Sequence, residues 1–318
     1  MNIEQVYFLD LDPNFSPFSY VKKAYSNRFI EFENFTFKGG EPHIKLKIKD
    51  GQQFFITDHI MITHRIHTYE DLGLLKVAVN ALDGLTKARI NLFLPYFPGA
   101  RQDRRMVKGE PFTSAVYVKE LHSMNFAQIV SFDMHSDVVA GMFEVLGGTV
   151  FVDSPNYNFI YHILDEEAPF RGRDWDSYYI ISPDAGSNKK IYGLLKDIGE
   201  TFSLIKCDKH RDTSTGEILS FDVYADDLEG KDCIIIDDIC DGGGTFIGLA
   251  KELKNKNCGK LYLAVSHGIF SAHVKRLTDV FDHVYCTDSF NYFIYSQRIP
   301  ENFTCIPLNE NIIITNPK

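Results

Sequence analysis

Short apolar runs alternate with segments of helical spacing along most of the chain. Each run is apolar at successive positions, as expected of a strand that is covered on both faces. The runs are ARINLFLPYF, AQIVSFD, TVFVD, YYIISPD, DCIIIDD, KLYLAVSHG and HVYCTD. Between them lie DLGLLKVAVNALDGL and TFIGLAKELKNK, and the second repeats apolar residues at i, i+3, i+4 and i+7. This alternation predicts an α/β protein built of mainly parallel sheets flanked by helices.

Two stretches depart from this alternation. The opening third, FIEFENFTFKGGEPHIKLKIKDGQQFFI, alternates apolar and polar residues around glycines, which predicts antiparallel strands or a β-flap. The polar stretch DKHRDTSTGEILSFDVYADD has little periodicity, and we expect a mobile loop there. A domain boundary near residue 150, after FEVLGG, would divide the chain into the halves 1–150 and 151–318.

The composition is that of a globular protein with room for two domains. The chain has 318 residues, of which 44% are apolar and 24% are charged. Its net charge of -10 and its pI near 5.5 argue against a nucleic-acid partner, because phosphate backbones are bound by clustered Lys and Arg. No apolar run reaches the roughly 18 residues of a membrane span, and MNIEQVYFLD lacks the basic start of a signal peptide. We therefore expect a cytoplasmic protein without a membrane partner.

The cysteines are scattered along the second half of the chain and form no CxxC pair. They are Cys207, Cys233, Cys240, Cys258, Cys286 and Cys305. This spacing favours reduced thiols that pack inside a cytosolic protein, over a zinc site or a disulfide framework.

The stretch CIIIDDICDGGGTF joins an apolar strand to carboxylates and glycines. If Cys233 to Ile236 form the strand, Asp237 and Asp238 follow at the sheet edge where open α/β sheets bind ligands. The glycines at 242–244 allow a tight turn that brings backbone N–H groups close to a ligand. Thr245 would then open a helix whose N-terminus favours phosphate.

Carboxylates beside a phosphate site fit a ligand with sugar hydroxyls, or a divalent metal that the phosphate carries. The stretch therefore predicts a sugar-phosphate site. The alternative is a glycine-rich turn flanked by solvated acids. A P-loop is excluded because the GxxxxGK[ST] spacing is missing.

Several segments resemble one known family. CIIIDDICDGGGT resembles the phosphoribosyl-pyrophosphate motif of the type I phosphoribosyltransferase fold, and further segments resemble the ribose-phosphate pyrophosphokinases, in order, across residues 37 to 290. They are LPYFPGARQDRR, SFDMHSDVVAGMF, ISPDAGSNKK, DKHR and AVSHGIFS. The resemblance implies two type I phosphoribosyltransferase-like domains with a β-flap. An ATP-binding domain would span 1–150, and 151–318 would carry the ribose-phosphate loop.

Enzymes of that family transfer the β,γ-diphosphate of ATP to the anomeric hydroxyl of a ribose phosphate in the presence of Mg²⁺, and release AMP. Such a transfer depends on positioning and charge neutralisation more than on covalent chemistry. The resemblance makes Lys209 and Arg211, two residues apart, the catalytic cations that contact the migrating phosphoryl oxygens.

The resemblance also implies binding residues and an assembly. ATP would be bound by Phe37, Glu41, Arg101, Gln102, Asp103, Arg104 and His135. Mg²⁺ would be bound by Asp133, His135 and Asp184. The ribose phosphate would be bound by Asp237, Asp238, Asp241, Gly242, Gly243, Gly244 and Thr245. The family builds its active sites between subunits, so a homo-oligomer, either a dimer or a hexamer, is expected.

The sequence departs from the family at the site itself. Gly242 stands where the family has a threonine, so a bond to the 5′-phosphate worth roughly 1.5–3 kcal/mol is lost and space opens beside that phosphate. Ser187 replaces a usual glycine, and Gly39 stands where the flap usually has a polar residue. The ending CIPLNENIIITNPK lacks the helical C-terminus common in the family.

These departures leave two acceptors open: ribose 5-phosphate, and ADP-ribose, whose 5′-phosphate carries a further group. Two other functional classes are alternatives. One is a catalytically inactive regulatory homologue, against which the presence of Lys209, Arg211, His135 and Asp184 argues. The other is a phosphoribosyltransferase, which has no need of the ATP-type segment LPYFPGARQDRR.

Overall fold

The structure is a computed structural model that describes residues 3–49, 52–198, 203–211, 218–290, 299–309 and 311–313. The chain divides into two units, the first of Met1–Pro155 with Asn309–Lys318, and the second of Asn156–Leu308. Short 3-10 helices lie at Ile3–Gln5, Ser26–Arg28 and Trp175–Ser177. No helix in these described ranges combines the length and the apolar character needed to cross a bilayer.

Two sheets make up the described part of the first unit. The strands are β1 (Val6–Asp10), β2 (Glu31–Thr36), β3 (Pro42–Lys47), β4 (His59–Thr63), β5 (Arg89–Phe93), β6 (Gln128–Phe132) and β7 (Val150–Ser154). The helices are α1 (Ser19–Lys22), α2 (Tyr69–Asp83), α3 (Thr113–His122) and α4 (Val138–Leu146). Five of these strands form a parallel sheet in the order β1-β4-β5-β6-β7. Strands β2 and β3 form a separate antiparallel hairpin.

A seven-stranded sheet organises the described part of the second unit. The strands are β8 (Tyr178–Ser182), β9 (Ser203–Arg211), β10 (Ile218–Val223), β11 (Asp232–Cys240), β12 (Leu261–Gly268), β13 (His283–Thr287) and β14 (Phe303–Ile306). The helices are α5 (Tyr157–Glu166), α6 (Ala185–Ile198), α7 (Gly244–Asn255) and α8 (Lys275–Thr278). The order is β10-β9-β8-β11-β12-β13-β14, and only the pair β9–β10 is antiparallel.

The predicted fold class is confirmed. The apolar runs named above lie, in chain order, on β5, β6, β7, β8, β11, β12 and β13, each in a parallel sheet. The opening third contains the antiparallel hairpin β2–β3. Helix α7 packs its predicted face into the core, where Phe246, Leu249, Ala250 and Leu253 are at most 3% exposed. The apolar patterns of the sequence therefore predicted the strands of the sheets and the helices that accompany them.

The polar stretch predicted to be a mobile loop instead forms a hairpin in its described part. Strands β9 and β10 pair antiparallel, with Asp208 opposite Asp222. Exposed polar contacts accompany the backbone pairing: His210 Nε2 lies 2.9 Å from Asp222 Oδ2, and the Tyr224 hydroxyl donates to Asp208 Oδ2 at 2.8 Å. For residues 208–211 and 218–223 the loop prediction was wrong, because the many polar residues of this stretch hide the alternation of Phe221 and Val223, which pack against the core of the second unit. Residues 212–217 of the predicted loop lie outside the described part of the chain.

Candidate functional site

Strand β11 carries two carboxylates near its C-terminal end. The prediction ended this strand at Ile236, but pairing with β12 continues to Cys240. Pairing with β8 reaches only Ile235, so Asp237 and Asp238 lie beyond the described ladder between β8 and β11. Asp238 is 6% exposed. The predicted end was wrong because polar residues usually end a buried strand, whereas here β12 continues the backbone pairing past them.

Asp184, which lies between β8 and α6, holds two partners from different elements. Its Oδ1 accepts hydrogen bonds from the Ser187 backbone N–H at 3.0 Å and from the Ser187 hydroxyl at 3.2 Å. Its Oδ2 accepts from Lys209 Nζ at 2.5 Å. Burial opposes ionisation, but the hydrogen bond and charge of Lys209, with the bonds from Ser187, hold the pKa of Asp184 below its usual range. Asp184 is therefore a carboxylate at neutral pH.

Ser187 connects this carboxylate to β11. Its Oγ lies 2.9 Å from Asp237 Oδ1 as well. Burial, followed by repulsion from Asp238 and Asp184, raises the pKa of Asp237 to about 8, so this carboxyl carries a proton at neutral pH. The Lys190 ammonium donates to Asp238 Oδ2 at 3.0 Å.

We call this continuous set of contacts the acid–lysine cluster. It consists of Asp184, Ser187, Lys190, Lys209, Asp237 and Asp238. The acids at the end of β11 are bonded to protein groups, and the alternative of a turn flanked by solvated acids is therefore wrong.

The two predicted catalytic cations lie on β9 and not in a loop. Lys209 is paired opposite Phe221, and its ammonium is part of the acid–lysine cluster. Arg211 is the last residue of the same strand, and its side chain lies outside the described part of the chain. The catalytic roles of both residues stay predictions.

The glycine-rich turn joins β11 to α7. Gly243 has a φ of +78°, and a Cβ added there would lie 3.0 Å from a methyl carbon of Leu277. Glycine is required at this position, since a side chain would meet both the strained backbone and this methyl group. Helix α7 begins at Gly244, one residue before the predicted Thr245. The first N–H groups of a helix have no partners within it, so this end favours an anion.

Gly242 differs from its neighbour. Its φ is not positive, and a Cβ there would lie 4.0 Å from the nearest atoms, Ser271 Oγ and Ala272 Cβ. The fold would therefore accept a side chain at 242. Next to it, the Asp241 carboxylate accepts a hydrogen bond from the Ser271 hydroxyl. The turn thus contains five of the predicted ribose-phosphate residues, Asp241 to Thr245, and Asp237 and Asp238 precede it on β11.

A cavity in the first unit gathers most of the residues predicted to bind ATP. Its volume is about 550 Å³, within the range of ligand pockets. It is lined by Arg101, Gln102, Asp103, Arg104, Met106, Glu110, Pro111 and His135. Arg104 donates twice to Asp103, at 2.7 Å and 2.9 Å, and the hydrogen bond from this guanidinium lowers the pKa of Asp103. The wall also contains Met106, Glu110 and Pro111, which were not predicted from the sequence.

Phe37 and Glu41 lie at the turn of the β2–β3 hairpin, where the Phe37 N–H donates to the Glu41 carbonyl at 2.8 Å. The Phe37 ring is 51% exposed and stands 4.8 Å from the ring of Phe35. A Cβ on Gly39 would lie 2.6 Å from the Glu41 carboxylate, the far end of an exposed side chain, which would have to move for a larger residue to fit. The turn therefore presents an aromatic face to solvent, and its predicted contact with ATP stays a prediction.

The predicted metal ligands belong to both units. Asp133 and His135 follow β6 in the first unit, and Asp184 lies in the second. Asp133 is 3% exposed with a φ of +45°, and His135 is exposed. Among the described residues, no group of three or more His, Cys, Asp and Glu side chains could hold a metal ion. Mg²⁺ keeps several waters and needs only one or two carboxylates, so the ionised Asp184 and the carboxyl of Asp133 are donors of a suitable kind.

Lys190 and Ser187 are the residues of the acid–lysine cluster that were not predicted as site residues. Both belong to the start of α6, three positions apart, so they lie on one face of the helix. The signal that could have identified them is this spacing directly after the predicted metal ligand Asp184.

Part of the chain matches a model of a known protein family. The phosphoribosyl transferase domain model matches residues 170–296, which include the acid–lysine cluster and the glycine-rich turn. A solved structure shares the fold of the whole chain: the phosphoribosylpyrophosphate synthetase from Mycobacterium smegmatis superposes with a TM-score of 0.75, covers 96% of this chain and 95% of that chain, and is 21% identical.

The chain is also similar to curated ribose-phosphate pyrophosphokinases. The protein of Ralstonia nicotianae is 30% identical over 226 residues, which cover 70% of this chain and 67% of that protein. The protein of Shewanella oneidensis matches with 30% identity over 226 residues and the same coverage of both chains. The protein of Vibrio parahaemolyticus is 28% identical over 225 residues, which cover 70% of this chain and 68% of that protein.

The geometry of the turn predicts a difference between two neighbouring glycines. Gly243→Ala should lower the free energy of unfolding by about 1–3 kcal/mol, because alanine is strained at positive φ and meets Leu277. Gly242→Ala is the matched control and should change it by less than about 0.5 kcal/mol. Urea unfolding followed by circular dichroism measures both variants. Equal effects of the two substitutions would contradict the assignment of strain to Gly243.

The raised pKa of Asp237 predicts how stability depends on pH. In the unfolded chain this carboxyl ionises near pH 3.8, whereas in the folded protein it keeps its proton up to about pH 8. Between these values unfolding releases a proton, so the contribution of Asp237 to stability falls as the pH rises. Compared with Asp237→Asn, the wild type should lose stability steadily from pH 5 towards pH 8. Urea midpoints of both proteins, measured without Mg²⁺ or nucleotide, test this; a constant difference between them across the range would contradict it.

Proposed function

This chain belongs to the ribose-phosphate pyrophosphokinase family, and we propose that it transfers the β,γ-diphosphate of ATP to the anomeric hydroxyl of a ribose phosphate. The anomeric oxygen bonds to the β-phosphorus as the bond from that phosphorus to the α,β-bridging oxygen breaks. The bridging oxygen leaves with AMP, and the hydroxyl proton passes to solvent. The observation that carries the proposal is the position of Lys209, which is bonded to Asp184 at the sheet edge. The carboxylates of β11 and the glycine-rich turn lie next to it.

The second unit supplies the acceptor site in this proposal. The backbone N–H groups from Asp241 to Thr245 bind the 5′-phosphate. Asp237 and Asp238 bind the ribose hydroxyls. Lys209, with Arg211, contacts the migrating phosphoryl oxygens, where a fixed cation stabilises the charge of the transition state.

The first unit supplies the nucleotide site. The cavity lined by Arg101, Gln102, Asp103 and Arg104 binds ATP, whose phosphates suit the guanidinium groups. Phe37 and Glu41 of the hairpin turn contribute further contacts, from a neighbouring subunit in a homo-oligomer, either a dimer or a hexamer. We assign ATP binding to residues 1–150 and ribose-phosphate binding to residues 151–318, and we propose a cytoplasmic location.

Magnesium belongs to the proposed reaction. Asp133 and His135 of the first unit and Asp184 of the second are the proposed ligands, and the ionised state of Asp184 suits a hard cation. When bound, Mg²⁺ neutralises charge on the phosphates of ATP.

ADP-ribose is a second candidate acceptor, and Gly242 favours it. Neither backbone strain nor crowding requires glycine at this position, since the nearest atoms lie 4.0 Å from an added Cβ. The missing side chain therefore leaves room beside the 5′-phosphate. A second phosphate on the acceptor would occupy that room, whereas ribose 5-phosphate would leave it to water.

Removal of the Lys209 ammonium tests the proposed function. With ATP, Mg²⁺ and either acceptor, the wild type should release AMP, and Lys209→Ala should lower kcat by about 100-fold to 1,000-fold. Lys206→Ala is the matched control: Lys206 is an exposed cation on the same strand, three positions away and so on the opposite face. Chromatographic measurement of AMP gives the rates of all three proteins.

The other outcomes of this assay separate the alternatives. An undiminished rate in Lys209→Ala would remove Lys209 from the mechanism. ATP binding without AMP release from either acceptor would favour the inactive regulatory homologue. Consumption of phosphoribosyl pyrophosphate without ATP binding would favour a phosphoribosyltransferase.

A threonine at position 242 tests which acceptor the site fits. Gly242→Thr should lower the KM for ribose 5-phosphate by about 10-fold, because its hydroxyl can donate to the 5′-phosphate. The same variant should raise the KM for ADP-ribose, because the side chain fills the space beside that phosphate. Gly242→Ala, which adds bulk without a hydroxyl, is the control. If the ratio of the two KM values does not change in Gly242→Thr, this turn does not distinguish the acceptors.

A further inference from the structure

Lys190 is a charged residue of the acid–lysine cluster to which the proposed reaction assigns no role. It lies in the second turn of α6, and its ammonium donates to Asp238 Oδ2 at 3.0 Å. The Asp238 side chain is 9% exposed and that of Lys190 is 28% exposed, so the ion pair is largely withdrawn from water. Such a pair is held more firmly than a surface ion pair, which solvent and salt weaken.

Asp238 needs this cation because of its neighbours. Asp237 is adjacent to it in sequence, and Asp184 is linked to Asp237 through Ser187. A buried carboxylate among other acids is costly unless a positive group or a proton compensates it. Lys209 is bonded to Asp184, and the ammonium that the structure places against Asp238 is that of Lys190.

One face of helix α6 contacts all three acids of the cluster. Ser187 bonds to Asp184 and Asp237, and Lys190, three positions later, bonds to Asp238. The orientation of the carboxylates at the end of β11 is therefore set by side chains of this helix. Asp238 in turn is one of the two acids proposed to bind the acceptor's hydroxyls.

We propose that Lys190 is a positioning residue, which fixes the Asp238 carboxylate so that it can accept hydrogen bonds from the hydroxyls of the acceptor's ribose. This inference rests on the proposed function of the second unit. Lys190 does not contact the migrating phosphoryl group in this proposal. Its loss should therefore weaken the binding of the acceptor and leave the binding of ATP unchanged.

The test compares acceptor and nucleotide affinities in a set of matched variants. Lys190→Met keeps the apolar stem and removes the charge, and it should weaken the binding of ribose 5-phosphate or ADP-ribose by about 10-fold to 100-fold. Lys190→Arg keeps a cation within reach of Asp238 and should restore most of the affinity. Lys189→Met removes an exposed cation from the adjacent position of the same helix and should bind like the wild type. Titration calorimetry gives each affinity without turnover, and steady-state kinetics gives KM for the acceptor and for ATP.

The results distinguish this inference from the proposed function. If the wild type binds an acceptor and Lys190→Met binds it equally well, Lys190 has no positioning role, and the proposed function stands. If Lys190→Met weakens ATP and acceptor alike, its role is structural and the inference is overturned. If the wild type binds neither acceptor, the proposed function fails and the inference fails with it. Circular dichroism checks the fold of each variant, and Lys190→Gln replaces Lys190→Met should the latter not fold.

Discussion

The crowding of three carboxylates at the end of one sheet, Asp238 buried and Asp184 and Asp237 half-buried, is the constraint on which the second unit's site depends. Asp184, Asp237 and Asp238 come from two places in the sequence and repel one another once the sheet forms. The structure compensates each in a different way: Lys209 pairs with Asp184, Lys190 pairs with Asp238, and Asp237 keeps its proton and contacts Ser187. The same contacts that permit the burial also fix the orientation of the acids.

This compensation explains how carboxylates can stand beside a turn suited to phosphate. Two ion pairs and one protonated carboxyl carry no net charge, so the cluster does not repel an anion at the start of α7. Uncompensated, the acids would oppose the favourable field of the helix N-terminus. The apparent contradiction between acids and phosphate in CIIIDDICDGGGTF is thus resolved by lysines from other segments of the chain.

The fold followed closely from the sequence because the inner strands of its parallel sheets are buried on both faces, whereas the edge strand β7 is partly exposed. Such strands are apolar throughout, as in Cys233 to Ile236, and they are recognisable without knowledge of their neighbours. The β9–β10 hairpin was missed because polar residues outnumber apolar ones in this stretch, although Phe221 and Val223 pack against the core. The end of β11 was misjudged for a related reason: the partner strand β12, and not the polarity of Asp237, decides how far the ladder runs.

The place of the glycine-rich turn between a strand and a helix, with acids beside it, was predictable from the sequence alone, because local spacing fixes which backbone groups and side chains a short turn presents. The pairing of Lys190 was not, since its partner Asp238 lies far along the chain and the contact exists only once α6 packs beside β11. The proton on Asp237 likewise arises from burial and from charges on other elements. Local order therefore determined which chemical groups are available, and tertiary packing decided their partners, charge states and orientations, because electrostatic interactions act through space and not along the chain.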